Sequence, residues 1–541
     1  MKSPLLKIIT LTLLVFTALF LRVNHLHSLP PALFSDEVDI ANQVKSFRNF
    51  QTDYYGNPYP IHFHSFSDWR TPLQIYSSVL VSFFTSDPIL IVRLPSVIFS
   101  VLSIIVFYLL TNSFLAALLL TLSPWSIHFG RIGFEVSGML FCLLAGIHLW
   151  LKFTKKPRIL FLILSLLFLC LSPYFYSTAK LFIVFLVPLL LLIWSKTLKN
   201  ISPKSLVILS LFGLLFLSPL IIDTVRGRAG YRFSYISILT EPHREQITDT
   251  LRYQDILLSH PGEIGVKTPL LSFILHNKLE LVIEKFIGNY FSSFSTTFLF
   301  LQGDGNLRQG FGNHGLFYLI DFLLIFIGLV IYFKKPDKLG TFFLIFLIFS
   351  PIPFSLTRDS VTPHATRLIF ILLPLLYFSS LALKKYLIFL PFYLISFLLF
   401  WHQYTIHYPQ LSARFWHYNL REAVLAAKAI STTKPVYFSD SYEPFLPFFL
   451  LYFPYTNPVN DPNLVRNIQP IDNSLISGQV IDNHYFFGHL NWDQAPTSSD
   501  SLFVLPQSQF ENLSNRSSFK IITKVDRYYL SAEAFYLVTP L

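Results

Sequence analysis

Two adjacent carboxylates, Asp36 and Glu37, are the side chains in this sequence best placed to do chemistry. They follow the first apolar run, 5–23, and stand in a loop rich in proline and aromatic residues. A carboxylate at the centre of a membrane helix costs about 2.5–3.5 kcal/mol, and one just past the end of a helix avoids most of that cost. A base in this position can take a proton from a hydroxyl group and stay close to a reactant that a lipid carries.

The pair by itself also fits a loop in solvent. Ser35 or Asp36 could cap a short helix, and Glu37 would then lie in its first turn. Farther along the same loop, Asp68 and Arg70 stand on either side of a tryptophan. We expect them to contribute an acid and a cation to substrate binding.

Two short turns between apolar runs add further candidates. Arg131 and Glu135 are four residues apart, so they could pair on one helix face as a structural ion pair. Arg131 could equally bind a phosphate group. Tyr176 and Lys180 lie at the mouth of another run, where a lysine serves as a membrane anchor or as a phosphate contact.

A third turn carries His364 and Arg367, which are three residues apart and therefore share a face if this segment is helical. Both could face a phosphate leaving group, or both could be interfacial cations. Three arginines, Arg226, Arg228 and Arg232, open the long loop 223–314 and fit a phosphate or lipid headgroups equally well.

The composition indicates a membrane protein. Of 541 residues, 53% are hydrophobic and only 13% are charged, where soluble proteins carry about 25% charged residues. The net charge of +11 is explained by basic loops that set topology, so we expect no nucleic-acid partner. The two cysteines, Cys142 and Cys170, lie inside apolar runs and predict neither a disulfide framework nor a thiolate metal site.

The apolar runs predict about eleven transmembrane helices. The first, 5–23, is longer than the core of a signal peptide and lacks a small-residue cleavage site, so we expect a retained helix. An amphipathic segment, 72–86, is expected to lie along the membrane surface. The predicted spans are 5–23, 90–110, 112–125, 136–152, 158–172, 179–194, 205–222, 315–333, 340–356, 366–383 and 386–402.

Lysine-rich loops fall on one face under this count, and basic loops are typically cytoplasmic. The opposite, extracytoplasmic face then carries the loop 24–89, the loop 223–314 and the tail 403–541. Nearly all the candidate residues lie on that face. The sequence therefore predicts a multi-pass protein of the plasma (inner) membrane with its active site and its C-terminal domain outside the cytoplasm.

The tail differs from the rest in composition. It is rich in Asn, Asp, Ser and Pro, with short apolar stretches at 435–439, 501–505 and 535–538 and helical spacing over 415–430. These patterns predict a small α/β domain. The expected architecture is a polytopic α-helical membrane domain, 1–402, with interfacial helices in its external loops, followed by an extracytoplasmic α/β domain, 403–541.

Several short motifs in this order resemble those of polytopic glycosyltransferases of the GT-C fold. The most similar branch contains bacterial protein O-mannosyltransferase-like and lipid A aminoarabinose transferase-like enzymes. The resemblance covers roughly 1–400. It rests on the Pro-Pro and Asp36-Glu37 loop, the turn 53–60, Thr71-Pro72-Leu73, Arg93-Leu94-Pro95, Ser123-Pro124-Trp125 with Arg131 and Glu135, Tyr176 with Lys180, and His364 with Arg367.

The resemblance implies transfer of a sugar from a polyprenyl-phosphate donor to an acceptor hydroxyl outside the cytoplasm, with Asp36 and Glu37 as the acidic pair of the first external loop. Asp36 would be the base, and Glu37 would orient the acceptor, pair with a nearby cation or help to bind a metal. The transfer would be a single displacement that inverts the anomeric carbon. Arg131, Lys180, His364 and Arg367 would bind the donor phosphate, and Asp68, Arg70, Glu135 and Tyr176 would help to bind substrate. Long external loops of eukaryotic relatives carry a β-trefoil insert that 223–314 lacks, so the resemblance does not carry over the acceptor.

Two alternatives to this function stay open from the sequence. A lipid-linked saccharide flippase or polymerase would line a path with ionisable groups inside its spans, and these spans are nearly free of charge. A non-catalytic membrane binding protein would keep the fold without turnover. The carboxylates and histidines also leave open a divalent metal ion as cofactor, and no ligand spacing assigns one.

Overall fold

The computed structural model describes 4–66, 68–195, 203–226, 235–263, 265–358, 362–430, 434–453, 468–494 and 501–541. Arg228 and Arg232, two of the arginines that open the long loop, lie outside these residues.

Helices form most of the chain up to Ser412, and each predicted apolar run contains one. Those of the first half are α1 Pro4–Val23, α2 Ser35–Phe50, α3 Pro72–Ser82, α4 Pro88–Thr111, α5 Phe114–Leu122, α6 Pro124–Phe129, α7 Val136–Lys155, α8 Ile159–Phe175, α9 Thr178–Ile193 and α10 Pro203–Val225. Those that follow are α11 Arg244–Ser259, α12 Leu270–Leu275, α13 Lys278–Ser292, α14 Leu319–Lys334, α15 Lys338–Phe349, α16 Ile352–Ser355, α17 Leu372–Lys385, α18 Leu390–His402 and α19 Tyr408–Ser412.

Five helical segments of the described residues are long and apolar enough to cross a membrane, which makes the chain a multi-pass membrane protein. They are Leu5–Val23, Pro88–Thr111, Val136–Lys155, Lys338–Ser355 and Leu387–Ser412. Shorter apolar helices accompany them at Ile159–Phe175, Thr178–Ile193 and Leu211–Val225. The count of eleven crossings and the side on which each loop lies stay predictions.

One predicted span, 112–125, needs correction. Helix α5 has nine residues, and at 1.5 Å per residue it is about 14 Å long, half of the roughly 30 Å hydrocarbon core. Pro124 ends this helix and begins α6, because proline lacks an N–H and fits only the first turn of a helix. This run therefore does not cross the membrane as one straight helix.

The tail forms the predicted α/β domain. The strands of its sheet, within the described residues, are β3 Val436–Ser439, β4 Gln469–Asp472, β5 Ile476–Ile481, β6 Tyr485–Leu490, β7 Leu502–Pro506, β8 Phe519–Val525 and β9 Phe535–Pro540. These seven strands lie in the order β4-β5-β6-β3-β7-β9-β8, in which β3 runs parallel to β6 and β7 and the other pairs are antiparallel. Helices α20 Leu420–Ile430, α21 Leu446–Tyr452 and α22 Gln507–Glu511 accompany them.

The predicted helix 415–430 begins only at Leu420. His417 and Asn419 have φ angles of 52° and 78°, in the left-handed region that ends or precedes helices. The helical segment Leu387–Ser412 also runs across residue 402, where the sequence predicted the domain boundary, and so enters the tail.

The tail packs directly on helix α2. Leu33 and Val38 of the first loop lie in the same buried apolar cluster as Leu420 and Phe438 of the tail. The Asn42 side chain also donates a hydrogen bond of 2.9 Å to a backbone carbonyl of α21. Helix α2, which carries the acidic pair, is therefore held between the membrane helices and the tail domain.

Candidate active site

Helix α2 turns the adjacent Asp36 and Glu37 in different directions. Successive side chains on an α-helix are about 100° apart, so neighbours face different surroundings. The side chain of Asp36 is 51% exposed, whereas that of Glu37 is fully buried. The helix starts without a side-chain cap at Phe34, so the sequence alternative in which Ser35 or Asp36 caps it is wrong.

Asp36 is held by Arg70, the second residue of a two-residue strand, β2 Trp69–Arg70, which pairs with β1 Phe63–His64. The Nη2 of Arg70 donates to the Oδ1 of Asp36 at 2.6 Å. Its Nε donates to Asp39, and its Nη1 lies 3.8 Å from the Oε1 of Glu135. We call these four residues the Arg70 cluster.

The Arg70 cluster contains three carboxylates for one guanidinium. Burial alone would lower the pKa of Arg70, but Asp36, Asp39 and Glu135 raise it well above its usual value. Arg70 therefore stays charged. Asp39 also accepts hydrogen bonds from Tyr54 and Ser65, which fixes the buried side of the cluster.

Asp39 is a residue of this site that the sequence analysis did not select. The signal was present, because Asp39 lies three residues after Asp36 on one helix face and shares Arg70 with it. Its buried partner Tyr54 has a pKa raised well above the usual value by burial and by the charge of Asp39, so its hydroxyl remains a donor.

Glu37 forms a separate, enclosed ion pair with Arg93 of α4. The Oε2 of Glu37 lies 3.0 Å from Nη2 of Arg93, its Oε1 lies 3.1 Å from Nε, and Oε1 also accepts from the N–H of Gly133 at 2.7 Å. The remaining N–H groups of Arg93 donate to the carbonyls of Leu26, Pro30 and Ala32. Of the roles expected for Glu37, the structure shows the pairing with a nearby cation, which joins α2, α4 and the first loop. Its part in the chemistry stays a prediction.

A cavity of about 260 Å³ lies beside the Arg70 cluster and brings together five of the predicted residues. Its lining combines two further cations with an acid, aromatic rings and small polar groups. The residues that line it are His62, Trp69, Arg70, Thr71, Glu135, Tyr176, Ser177, Thr178, Lys180, Leu181, Thr224, Ile236, Pro353, Thr357 and Arg367.

The cations of the cavity come from two different parts of the chain. Lys180 lies in the first turn of α9, and Arg367 lies in the turn that precedes α17. The buried carboxyl of Asp304 accepts hydrogen bonds from the backbone N–H groups of Ala365 and Asn306, which holds this turn. Burial raises the pKa of Asp304 to about 6.

Two predicted phosphate ligands lie elsewhere. Arg131 is fully buried and donates to the backbone carbonyls of Leu21, Asn24 and Leu29 at 2.6–3.2 Å. The segment 130–135 is a turn, so the expected helical pairing of Arg131 with Glu135 is wrong. Instead, Glu135 approaches Arg70.

His364 is the other predicted phosphate ligand that lies away from the cavity. It lies in a turn, which corrects the expectation that it shares a helical face with Arg367. Its Nε2 is 3.3 Å from the side-chain nitrogen of Gln309, and it is absent from the lining of the cavity. Asp68 accepts a hydrogen bond from the N–H of Trp69 at 2.7 Å and lies next to the cavity rather than in its lining.

An aromatic stack flanks the cavity. The ring of Trp69 lies 4.2 Å from that of His64 with an interplanar angle of 5°, and His64 lies 3.8 Å from Tyr55. The flat rings keep β1 and β2 together and so fix the position of Arg70 at the end of β2. Trp69 itself lines the cavity.

The cavity also contains a histidine that the sequence analysis did not select. The Nδ1 of His62 lies 2.6 Å from the Oδ2 of Asp223, and both side chains are buried. The two residues are 161 positions apart, so no local spacing could have signalled the pair. Burial and the charge of Lys180 lower the pKa of His62, although Asp223 opposes this shift.

The described ranges also bear on a metal ion as cofactor. No group of three or more His, Cys, Asp or Glu residues comes together in them to hold an ion. In the Arg70 cluster, which contains three carboxylates, the guanidinium lies between them.

Comparison with known proteins gives weak similarities. No family model and no curated protein matches the chain. The crystal structure of ArnT from Cupriavidus metallidurans in the apo state overlaps with a TM-score of 0.41 at 10% identity, covering 99% of this chain and 98% of that one. The structure of ArnT from the same organism bound to undecaprenyl phosphate gives 0.36 at 10% identity and the same coverage.

Proposed function

We propose that this chain is a membrane glycosyltransferase that moves a sugar from a polyprenyl-phosphate donor to an acceptor hydroxyl on the extracytoplasmic side of the plasma membrane. The observation that carries the proposal is the cavity in which Lys180 and Arg367 lie beside the Arg70 cluster. Cations that can take a phosphate thus adjoin a carboxylate, Asp36, that has an exposed face.

Asp36 is the base in this proposal. Its half-exposed carboxylate takes the proton of the acceptor hydroxyl while the hydroxyl oxygen attacks the anomeric carbon. Arg70 orients Asp36 by a hydrogen bond, and Asp39 and Glu135 hold Arg70 in turn. A single displacement of this kind inverts the configuration at the anomeric carbon.

The bond between the anomeric carbon and the phosphate oxygen breaks in the same step, and the lipid phosphate leaves with the electron pair. Lys180 and Arg367 stabilise the charge that develops on the phosphate, as preorganised cations do in other transfer reactions. A phosphate needs no general acid to leave. Arg131 and His364 take no part in this proposal, because the arginine is bound to backbone carbonyls and the histidine lies away from the cavity.

The decisive experiment incubates the purified protein with a panel of undecaprenyl-phosphate-linked hexoses and pentoses and a mixed set of acceptors. Wild type is compared with Asp36→Asn, which keeps the shape of the side chain and removes the base. We expect release or transfer of one sugar by wild type and a loss of about 10²–10⁴-fold in the variant. Asp249→Asn, the same change at an exposed surface ion pair, is the control and should retain full activity.

The outcomes separate the competing functions. Near-full transfer by a folded Asp36→Asn variant would reject the base assignment. Turnover of no donor by wild type would reject the transferase and favour the flippase, polymerase or binding protein. Movement of a lipid-linked saccharide across vesicles without transfer would identify the first of these.

Sidedness has its own test, because both native cysteines are buried. A cysteine at Ser474, in an exposed turn of the tail, should react in intact cells with a maleimide that does not cross the membrane. A cysteine at Lys156, exposed between α7 and α8, should react only after the cells are opened. Labelling in the reverse order would place the active site in the cytoplasm.

A further inference from the structure

His62 has a buried nitrogen to which none of the described residues forms a hydrogen bond. The residue is 3% exposed, lines the cavity, and binds Asp223 through Nδ1 at 2.6 Å. Its Nε2 is buried and has no hydrogen-bond partner among the described residues. Buried polar atoms are almost always hydrogen-bonded, so an unpartnered one in a cavity wall points to a ligand.

The partner of Nδ1 determines what Nε2 can do. A carboxylate only accepts hydrogen bonds, so the proton of a neutral imidazole lies on Nδ1 and the lone pair lies on Nε2. Lys180, Arg367 and Arg70 line the same cavity, and their positive charges disfavour a fourth cation. Against them stand Asp223, which binds the ring, Glu135 in the lining, and Asp68, whose charge also reaches His62.

A lone pair in this position selects one kind of ligand group. It repels the oxygens of a phosphate, which are themselves acceptors, and it attracts a hydroxyl hydrogen. Lys180 and Arg367 have the opposite preference, because ammonium and guanidinium groups only donate. The cavity therefore has separate places for an anion and for a hydroxyl group.

The volume also favours a small polar head. At about 260 Å³ the cavity is smaller than the roughly 300–1,000 Å³ pockets that enclose drug-sized ligands. A monosaccharide phosphate fits this scale, and a long isoprenoid chain has to lie outside it.

We propose that His62 is a specificity-determining residue: its Nε2 accepts a hydrogen bond from a hydroxyl group of the sugar that the donor carries, and Asp223 holds the ring for this contact. The inference rests on the proposed function and deepens it. His62 recognises a hydroxyl group of the sugar, whereas Lys180 and Arg367 bind the phosphate.

The test measures binding to the full-length protein in nanodiscs. The ligands are undecaprenyl phosphate and the undecaprenyl-phosphate-linked sugars of the transfer panel. We expect His62→Leu to weaken binding of the preferred sugar-linked lipid about 10-fold, the upper range for loss of one neutral hydrogen bond, and to leave undecaprenyl phosphate unchanged within 2-fold. His489→Leu, the same change at an exposed position in the tail, should change neither.

A second series identifies the contact if His62→Leu fails to fold. His62→Gln keeps a polar side chain of similar length, and donors lacking one hydroxyl at a time are compared on it and on wild type. Wild type should lose affinity for one deoxy donor, and His62→Gln should lose less for that same donor. Equal sensitivity of both proteins to every deoxy donor would overturn the inference.

The binding data distinguish an incorrect role for His62 from an incorrect proposed function. If wild type binds neither lipid, the function itself is rejected. If wild type binds both and His62→Leu weakens both equally, His62 contacts the phosphate and the inference falls while the function stands. If His62→Leu changes the binding of neither lipid, His62 has only a structural role and the inference is overturned.

Discussion

Two arginine centres receive adjacent residues of one helix, and they differ in almost every other respect. Arg70 meets three carboxylates, and its partner Asp36 keeps half of its side chain exposed. Arg93 meets one carboxylate, Glu37, and uses its remaining donors on backbone carbonyls, so that both side chains are fully buried.

The difference distinguishes an ion pair that is closed within the protein from one that leaves charge accessible to a ligand. At Arg93 every donor and every carboxylate oxygen has a partner inside the protein, so no group is left for a ligand. At Arg70 the acids outnumber the cation, and one acid reaches the surface beside a cavity. Local excess of one charge together with partial exposure, rather than the mere presence of an ion pair, marks the candidate site.

The largest expected effect is a loss of stability when the carboxylate that binds Arg93 is removed, compared with removal of one that binds Arg70. Glu37→Ala leaves Arg93 as a buried charge without its carboxylate, which should destabilise the protein by about 3–5 kcal/mol. Asp36→Ala removes a half-exposed partner, and Arg70 keeps two other acids, so the loss should be about 1 kcal/mol or less. Thermal unfolding of both variants in the same detergent measures the difference. Equal losses of stability in the two variants would mean that both carboxylates contribute equally to the stability of the fold, which would contradict this contrast.

A smaller effect, on lipid phosphate binding, distinguishes the cations that line the cavity from an enclosed cation such as Arg93. Lys180→Ala should weaken binding of undecaprenyl phosphate about 10–100-fold, since a hydrogen bond to a charged group contributes about 1.5–3 kcal/mol. The fold should survive, because Lys180 lines a cavity. Arg421→Ala, at an exposed position in the tail, provides the control. Unchanged binding in Lys180→Ala would remove this lysine from the phosphate site.

The smallest effect concerns Asp304, a buried acid held by backbone N–H groups. Its folded pKa of about 6 lies above the unfolded value of about 3.9. The folded state therefore binds more protons in between, and its stability rises as the pH falls from 7 toward 4. Between pH 7.5 and 5, wild type should gain about 1 kcal/mol relative to Asp304→Asn. A constant difference in unfolding midpoint across this range would contradict the raised pKa.

Local patterns in the sequence were sufficient to find the helices, the tail domain and five of the residues that line the cavity. Arg70, Glu135, Tyr176, Lys180 and Arg367 were all selected and meet at one place. They were recognisable because each is a polar residue in a loop, in a short turn or at the mouth of an apolar run.

The direction in which each side chain points could not be predicted. Glu37 meets Arg93 across 56 positions, and His62 meets Asp223 across 161. Arg131 was expected at a phosphate, yet three carbonyls of the first helix and its exit loop surround it. Such partners depend on how distant elements pack, which single-sequence periodicity does not encode.

The shared core between the first loop and the tail has a consequence for biogenesis. Leu33 and Val38 are synthesised long before Leu420, Phe438 and the rest of their apolar cluster. One side of the helix that carries Asp36 is therefore uncovered until the tail domain has folded against it. The candidate site is complete only after that step, and a chain cut short before the tail lacks the surface that covers α2.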